Sequence, residues 1–332
     1  MNLPLPIRIL LWPPSLVYGA FVRLRALVYA KGWLNQKRLQ GKVISVGNLT
    51  VGGTGKTPMV IWLAKKFVSE GKRVAILTRG YRTEGGVSDE VQLMRNELGE
   101  LVQFGVGPDR YETGSRLEQA APVDIFLLDD GYQHLELARD VNLLLVDASR
   151  PLRDEHLLPA GRLREPKSAL SRADIVLFTR VDDQPFVKSA IQEFPQMPIF
   201  PAGTQVKKYR LLSAAGRDGS SLGPLPLQPV FAFCGIGNPK AFFSDLERWG
   251  NVVAGQATFR DHHRYSPGEI ERIEKDAALV SARSLVTTAK DAENIGQNKF
   301  SKLPVYVCEI ELKVGDESQL MDAVKAKLGN LQ

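Results

Sequence analysis

Residues 52–57 read Gly-Gly-Thr-Gly-Lys-Thr. An apolar run, "KVISVG" at 42–47, precedes them, and "KTPMVIWLAKKFVSEG" at 56–71 follows with apolar residues at helical spacing. A strand, a glycine-rich turn and a helix in that order form a phosphate cradle. The N–H groups of the turn face the anion, and the positive end of the helix adds to them. The cradle candidates are Thr50, Val51, Gly52, Gly53, Thr54 and Gly55. Lys56 is placed to reach the β- and γ-phosphates of a nucleotide, and Thr57 offers its hydroxyl to Mg²⁺. Thr50 stands where the usual G-x-x-x-x-G-K-[ST] pattern has its first glycine.

A second stretch, "FLLDDGYQH" at 126–134, runs from an apolar strand into Asp129 and Asp130. Magnesium takes few protein ligands, mostly hard oxygens, and fills its octahedron with water and phosphate. Adjacent carboxylates point to opposite faces if the strand continues through them. One is then the metal carboxylate and the other a supporting group, and spacing leaves open which. "LLPAGRLREP" at 157–166 brings Arg162, Arg164 and Glu165 together with Gly and Pro. Arginines on a stiff loop suit an anionic ligand. "SDE" at 88–90 and "DHH" at 261–263 are two candidate sources of the acid–base group that phosphoryl transfer needs beside the acceptor hydroxyl. "TTAKDAEN" at 287–294 is similar to the T-K-x-D base-reading element of P-loop GTPases. Its Lys290 and Asp291 are adjacent rather than separated, so guanine specificity is not expected. The double glycine is similar to the loop K-G-G-x-G-K-[ST] of partition and metallochaperone nucleotidases. Its leading lysine is Val51 here, so a lysine finger between subunits is not expected either.

These residues need a scaffold. "RVAILTRGY" (73–81), "VDIFLLDDG" (123–131), "VNLLLVDAS" (141–149) and "ADIVLFTRVDD" (173–183) read as further buried strands, and "DRYETGSRLEQAA" (109–121) as a helix. Continuous apolar strands alternating with helices predict an α/β fold, a P-loop NTPase-type mostly parallel sheet with helices on both faces. Ligands gather at the C-terminal ends of such strands, where these motifs fall. Residues 215–228, rich in Gly, Ser and Pro, read as a linker. The expected division is an N-terminal apolar and basic region at 1–40, a P-loop core at 41–214, the linker, and a smaller C-terminal α/β lobe at 229–332.

The 332 residues carry a net charge of +6, 44% hydrophobic and 24% charged side chains, and two cysteines, Cys234 and Cys308. That composition suits an ordinary globular protein with free thiols and gives no zinc cluster. The charge is uneven. Residues 1–42 hold seven basic side chains (Arg8, Arg23, Arg25, Lys31, Lys37, Arg38, Lys42) and no acid, which leaves the rest of the chain at −1. A basic folded body, the usual mark of a nucleic-acid protein, is absent. Residues 9–22, "ILLWPPSLVYGAFV", are uncharged but too few for a spanning helix, which needs about 20 apolar residues. Aromatic and aliphatic residues beside cations suit a segment lying in a membrane interface. A helix packed on the protein's own core and a signal peptide are the alternatives.

Together these stretches resemble the tetraacyldisaccharide 4′-kinases of lipid A biosynthesis. The resemblance runs in order through "SVGNLTVGGTGKTP", "LTRGY", "SDE", "GPDRYETG", "LLDDGYQH", "LLPAGRLREP", "RDHHRYS" and "TTAKDAEN". It implies a two-lobed kinase using ATP and Mg²⁺. Its substrate would be a tetraacylated glucosamine disaccharide 1-phosphate, phosphorylated at the 4′-hydroxyl to the lipid IVA bisphosphate. It also implies a peripheral or monotopic protein on the cytoplasmic face of the bacterial inner membrane, with no obligate protein partner. Residue by residue, Asp89 matches the general base and His262 the histidine that pairs with it, with His263 as the alternative. Asp129, Asp130, His134 and Glu165 match the magnesium and active-site shell, and Arg110 and Arg164 match basic positions near phosphate or substrate. Ser88 and Val91 depart from the family's common Gly and Pro beside the acid pair, and Arg260 from its proline before Asp-His. The rival expectation is a membrane-associated nucleotide switch, an ATPase or GTPase without sugar kinase activity.

Overall fold

The computed structural model describes residues 5–80, 89–148, 150, 152, 155–181, 194, 197–213, 225–261, 263–296 and 300–329; of Leu5 and Asp89 only the backbone is described. The chain divides into two units, Met1–Gly203 with Leu312–Gln332, and Thr204–Glu311.

The first unit opens with helices α1 (Leu5–Leu10) and α2 (Trp12–Ala30), the latter with Pro13 and Pro14 in its first turn. Proline costs nothing in a first turn, because those N–H groups have no partner anyway. Strand β1 (Lys42–Asn48) leads through the glycine loop to α3 (Lys56–Ser69). Then come β2 (Val74–Thr78), α4 (Asp89–Leu98), β3 (Gln103–Val106), α5 (Arg110–Ala120), β4 (Ile125–Asp129), β5 (Val141–Asp147), β6 (Ile175–Thr179) and the start of β7 (Ile199–Ser213), which from Thr204 on belongs to the second unit. The order β3-β2-β4-β1-β5-β6-β7 places the loop-bearing strand β1 between β4 and β5, with parallel pairing throughout. The strand order reverses on either side of β1, and such a reversal opens a crevice at the strand ends.

Alternation along each strand builds the two faces. Ile44, Ile125, Leu127, Leu143 and Leu145 join Met59, Leu63 and Phe67 of α3 in one core cluster. Val43, Phe126 and Leu128 turn to the opposite cluster with Leu77 and Leu137, and Leu144 and Val146 to a third with Tyr132.

The second unit holds β8 (Val230–Cys234), β9 (Val253–Thr258), β10 (Ser284–Thr288) and most of β11 (Val305–Val314), ordered β11-β10-β8-β9 and parallel. Its helices are Pro239–Arg248, Pro267–Leu279 and Ala289–Ile295. Ser266 and Glu269 close a reciprocal capping box on the second of these. Cys234 and Cys308 are buried and unbridged.

The units differ from the expected division. The second begins before the 215–228 segment, of which 215–224 lie outside the described residues. The chain's last part returns to the first unit. Leu312, Val314, Leu320, Val324 and Leu328 are buried in the same cluster as Ile44 and Phe67. Lys66 and Lys325 add ion pairs to Glu317 and Glu70 at 2.5 and 2.7 Å. A helix at Glu317–Leu328 with apolar residues at positions 320, 321, 324 and 328 needs an apolar partner, and the first unit supplies it. Leu320→Ala is expected to lower the unfolding free energy by about 2–5 kcal/mol in chemical denaturation. A cost below about 1 kcal/mol would make this helix a peripheral attachment.

Candidate active site

The loop after β1 takes the shape its glycines allow. Gly52 has φ 114° and Gly55 φ 86°, a range side chains avoid. A Cβ built on Gly52 or Gly53 meets nothing within 4 Å, so this side of the loop is open. Gly47 is constrained differently, since a Cβ there would lie 2.7 Å from the Tyr132 backbone nitrogen. The lead-in is clamped by the 157–166 segment. Val51 N–H donates to the Arg162 carbonyl at 2.8 Å and Arg164 N–H to the Leu49 carbonyl at 2.7 Å.

The two aspartates do not continue the strand. Strand β4 ends at Asp129, and Asp130 turns with φ 49°. The expected face-to-face alternation is therefore replaced by a left-handed turn that gives the two carboxylates different surroundings. Asp130 accepts from one Arg164 nitrogen at 2.8 and 2.7 Å and lies 3.6 Å from Lys56 Nζ. Lys56 also reaches Asn48 Oδ1 at 3.4 Å. Asp129 is 3% exposed and accepts from Thr78 Oγ1 at 3.3 Å through one oxygen. Its other oxygen, Oδ1, is buried without a partner.

Charge follows geometry. Burial, then the carboxylates of Glu90 and Asp130, push the Asp129 pKa up to about 7 against the pull of Lys56. Burial also acts on Asp130, but Lys56 and Arg164 overcome it and hold that carboxyl below its ordinary value. The pair thus has one compensated charge and one uncompensated one.

That orphaned oxygen is the test for a divalent cation. A buried carboxylate with a free lone pair, at the strand end beside a phosphate loop, is a hard-oxygen donor suited to Mg²⁺. Among the described residues no three His, Cys, Asp or Glu side chains converge into a cage. The fit is to an ion held by one or two protein oxygens and by a ligand's phosphates, with Asp129 and Thr57 as the candidates.

The other expected shell residues stand apart from that pair. Glu165 is buried and bonded to Arg172, which lies 4.9 Å over the Tyr132 ring; the Tyr132 hydroxyl donates to the Ala169 carbonyl at 2.6 Å. His134 has a buried Nε2 with no hydrogen bond, and burial, then the Arg110 charge, lowers its pKa to about 4. It is a neutral imidazole. Arg110 opens α5, buried, with one terminal nitrogen on the Pro108 carbonyl at 3.0 Å. The Asp89 side chain and His262 lie outside the described residues. The flanks of His262 are placed: Asp261 pairs with Lys290 at 2.9 Å, and His263 pairs with Glu269 at 3.0 Å while stacking on Phe259. In "TTAKDAEN", Thr288 caps a helix. Asp291 is buried under bonds from Gly235 N–H, the Tyr265 hydroxyl and the Thr288 hydroxyl, so the element is a structural anchor.

Residue-by-residue reading missed Asn48 and Gln133. Asn48 is fully buried, with Oδ1 toward Lys56 and its Nδ2 unpartnered. Gln133 ties the two motifs together, donating to the Asn48 carbonyl at 2.9 Å. Both lie inside the quoted stretches, and a buried amide between strand and phosphate loop was the available signal.

The Asp129 shift has a measurable sign. Its folded pKa lies above the unfolded value, so the folded state keeps a proton that the unfolded chain releases. That contribution is complete below about pH 4 and is lost as the pH rises through 7. His134 acts oppositely: its folded pKa lies below 6.5, so its contribution is present above 6.5 and is lost as the pH falls through 4. Comparison with Asp129→Asn separates the two. Without nucleotide or divalent cation, the variant is expected to gain stability relative to wild type between pH 5 and 8. Parallel curves would refute the raised pKa.

A family model described as tetraacyldisaccharide-1-P 4′-kinase matches residues 7–329. The chain is 41% identical to the tetraacyldisaccharide 4′-kinase of Geobacter sulfurreducens, covering 94% of this chain and 91% of that one. It is 40% identical to the enzyme of the same name from Geobacter metallireducens, over 93% and 95% of the two chains. Its structure is similar to a crystal structure of LpxK from Aquifex aeolicus in complex with ATP, with a TM-score of 0.73 and 29% identity over 97% and 100% of the chains. The chain belongs to the tetraacyldisaccharide-1-P 4′-kinase family.

Proposed function

We propose that this chain transfers the γ-phosphate of ATP to the 4′-hydroxyl of a tetraacyldisaccharide 1-phosphate. Family membership supports the reaction and the acceptor. The observation that carries it in the molecule is the joint placement of an open glycine loop, Lys56, the clamped Asp130 and the uncompensated Asp129. Phosphoryl transfer asks for held phosphates, balanced charge and a base, not a covalent intermediate. The loop N–H groups and Lys56 hold the phosphates. Thr57 and Asp129 would hold Mg²⁺, which would supply charge neutralisation for the phosphates. Arg164 fixes Asp130 beside Lys56, so the lysine keeps its reach. Asp89, the first residue of α4, is proposed as the base that takes the proton from the 4′-hydroxyl, with His262 assisting it and Arg110 serving an anionic group of the substrate.

The expected assay supplies ATP, Mg²⁺ and tetraacyldisaccharide 1-phosphate and finds the bisphosphorylated lipid. ATP hydrolysis with no lipid product would favour the nucleotide-switch alternative instead. Asp89→Ala is expected to lower kcat by about 10²–10⁴-fold with ATP binding nearly kept. A near-normal rate would remove Asp89 from the base role.

An acylated sugar stays in a bilayer, so the enzyme has to meet a surface. No described helix is long and apolar enough to cross a membrane. Helix α2 buries only Ser15 and Gly19, and exposes Trp12, Leu16, Val17, Phe21 and Leu24 with Arg23 and Arg25 among them. An exposed apolar face on a cationic helix suits the anionic headgroup region, and we assign α2 that role at the cytoplasmic leaflet of the inner membrane. The variant carrying Trp12→Glu, Phe21→Glu and Leu24→Glu is expected to lose co-sedimentation with anionic vesicles at an unchanged melting temperature. Retained co-sedimentation would take the membrane role from α2.

A further inference from the structure

A phosphate cradle works only when its N–H groups face inward. In a trans peptide the C=O of one residue and the N–H of the next point to opposite sides of the plane. Turning the N–H groups of Thr54 and Gly55 toward a phosphate therefore turns the carbonyls of Gly53 and Thr54 away from it. At buried Thr54 the carbonyl needs a protein partner, while at exposed Gly53 a partner holds the carbonyl in place rather than rescuing it from burial.

Two consecutive residues at the end of β6 supply those partners. Thr179 Oγ1 donates to the Thr54 carbonyl at 3.1 Å, with a longer contact of 3.5 Å to the Val146 carbonyl. One Arg180 terminal nitrogen donates to the Gly53 carbonyl at 3.4 Å. The other terminal nitrogen lies 2.5 Å from Asp147 Oδ2, at the end of β5. Thr179 and Asp147 are buried. Consecutive residues of a strand face opposite ways, so both could not address one loop from regular β structure. Arg180 takes φ 60°, a left-handed conformation uncommon outside glycine, and this breaks the alternation. The Thr179 methyl also stands 3.5 Å from where a Cβ on Gly55 would sit, closing the outer side of the loop.

We propose that Thr179 and Arg180, with Asp147 as anchor, are nucleotide-positioning residues. They hold the Gly53 and Thr54 carbonyls outward and so aim the Thr54 and Gly55 N–H groups at the β- and γ-phosphates before nucleotide arrives. They act through the loop and touch no reacting atom. The proposal rests on reading the loop as the ATP cradle.

The test compares wild type with Thr179→Val, Thr179→Ser, Arg180→Ala and Arg180→Lys. Affinity for a non-hydrolysable ATP analogue with Mg²⁺ is measured by calorimetry, alongside steady-state kinetics and the melting temperature of the free protein. Thr179→Val keeps the shape and removes the donor, and it is expected to raise the analogue Kd and the KM for ATP about 3–10-fold. The KM for the lipid acceptor is expected to stay at the wild-type value. Thr179→Ser restores the hydroxyl and is expected to restore affinity. Arg180→Ala, at a half-exposed position, gives the same direction if Thr179→Val fails to fold, and Arg180→Lys recovers part of it. Wild-type affinity in both Thr179→Val and Arg180→Ala overturns the proposal. So does a Thr179→Ser variant as weak as Thr179→Val, or a parallel rise in both KM values. A wild type that binds the analogue yet makes no lipid product defeats the kinase reading, while the affinity comparison still decides this one.

Discussion

Two carboxylates adjoin each other at the end of β4, and the local cations balance only one. Lys56 and Arg164 both lie at Asp130, while Asp129 keeps a buried oxygen without a partner and a pKa pushed to about 7. An isolated buried charge is costly, so such a group either takes a proton or waits for a cation. Much of the surrounding structure holds this imbalance in place. The left-handed turn at Asp130 separates the two side chains. Arg139 bonds the Gly131 and Tyr132 carbonyls at 3.3 and 3.1 Å, fixing the turn from behind. Burial lowers the Arg139 pKa to about 10, the mark of a guanidinium committed to the interior. Arg172 stacks over Tyr132 and takes up Glu165, so a third acid does not compete for the same cations.

What could be read from the sequence was what is contiguous in it. The strand-loop-helix of 42–71 appears as Lys42–Asn48 and Lys56–Ser69, and the strands expected at 123–131, 141–149 and 173–183 appear as β4, β5 and β6. These segments are apolar from end to end because both faces of a parallel sheet are covered. Elements without that signal went unread. Strand β3 is four residues long, and β9 alternates half-buried and exposed positions along "VAGQAT". Strand β7 carries Lys207, Lys208 and Arg210 through its length, so its middle reads as a polar loop. The site divides in the same way. Lys56, Asp129 and Asp130 announced themselves by spacing. The bond from Arg164 to Asp130 crosses 34 positions and depends on φ at Asp130, which no local pattern encodes. Glu165, one residue away from Arg164, goes to Arg172 instead, because the two side chains leave the chain in different directions.

The N-terminal helix belongs to the same network rather than hanging from it. The Tyr18 hydroxyl donates to the Arg164 carbonyl at 2.7 Å, and the Arg164 side chain holds Asp130. Ser15 donates to the Leu157 carbonyl at 3.0 Å, and Arg25 to the Gln133 carbonyl at 3.1 Å. All three acceptors lie in the two loops that frame the phosphate cradle. Between helix and loop is a cleft of about 570 Å³, lined by Trp12 and Leu16 on one side and Leu157 and Leu163 on the other. A surface helix with an exposed apolar face gains little by folding alone, since its outward side chains stay in water. Its polar inner edge therefore fixes it, through side-chain donors that spend themselves on loop carbonyls. The same bonds that fix the helix also satisfy the backbone around Arg164 and Gln133. The placement of the N-terminal helix and the placement of the lysine, the aspartates and the glycine loop thus rest on one set of hydrogen bonds.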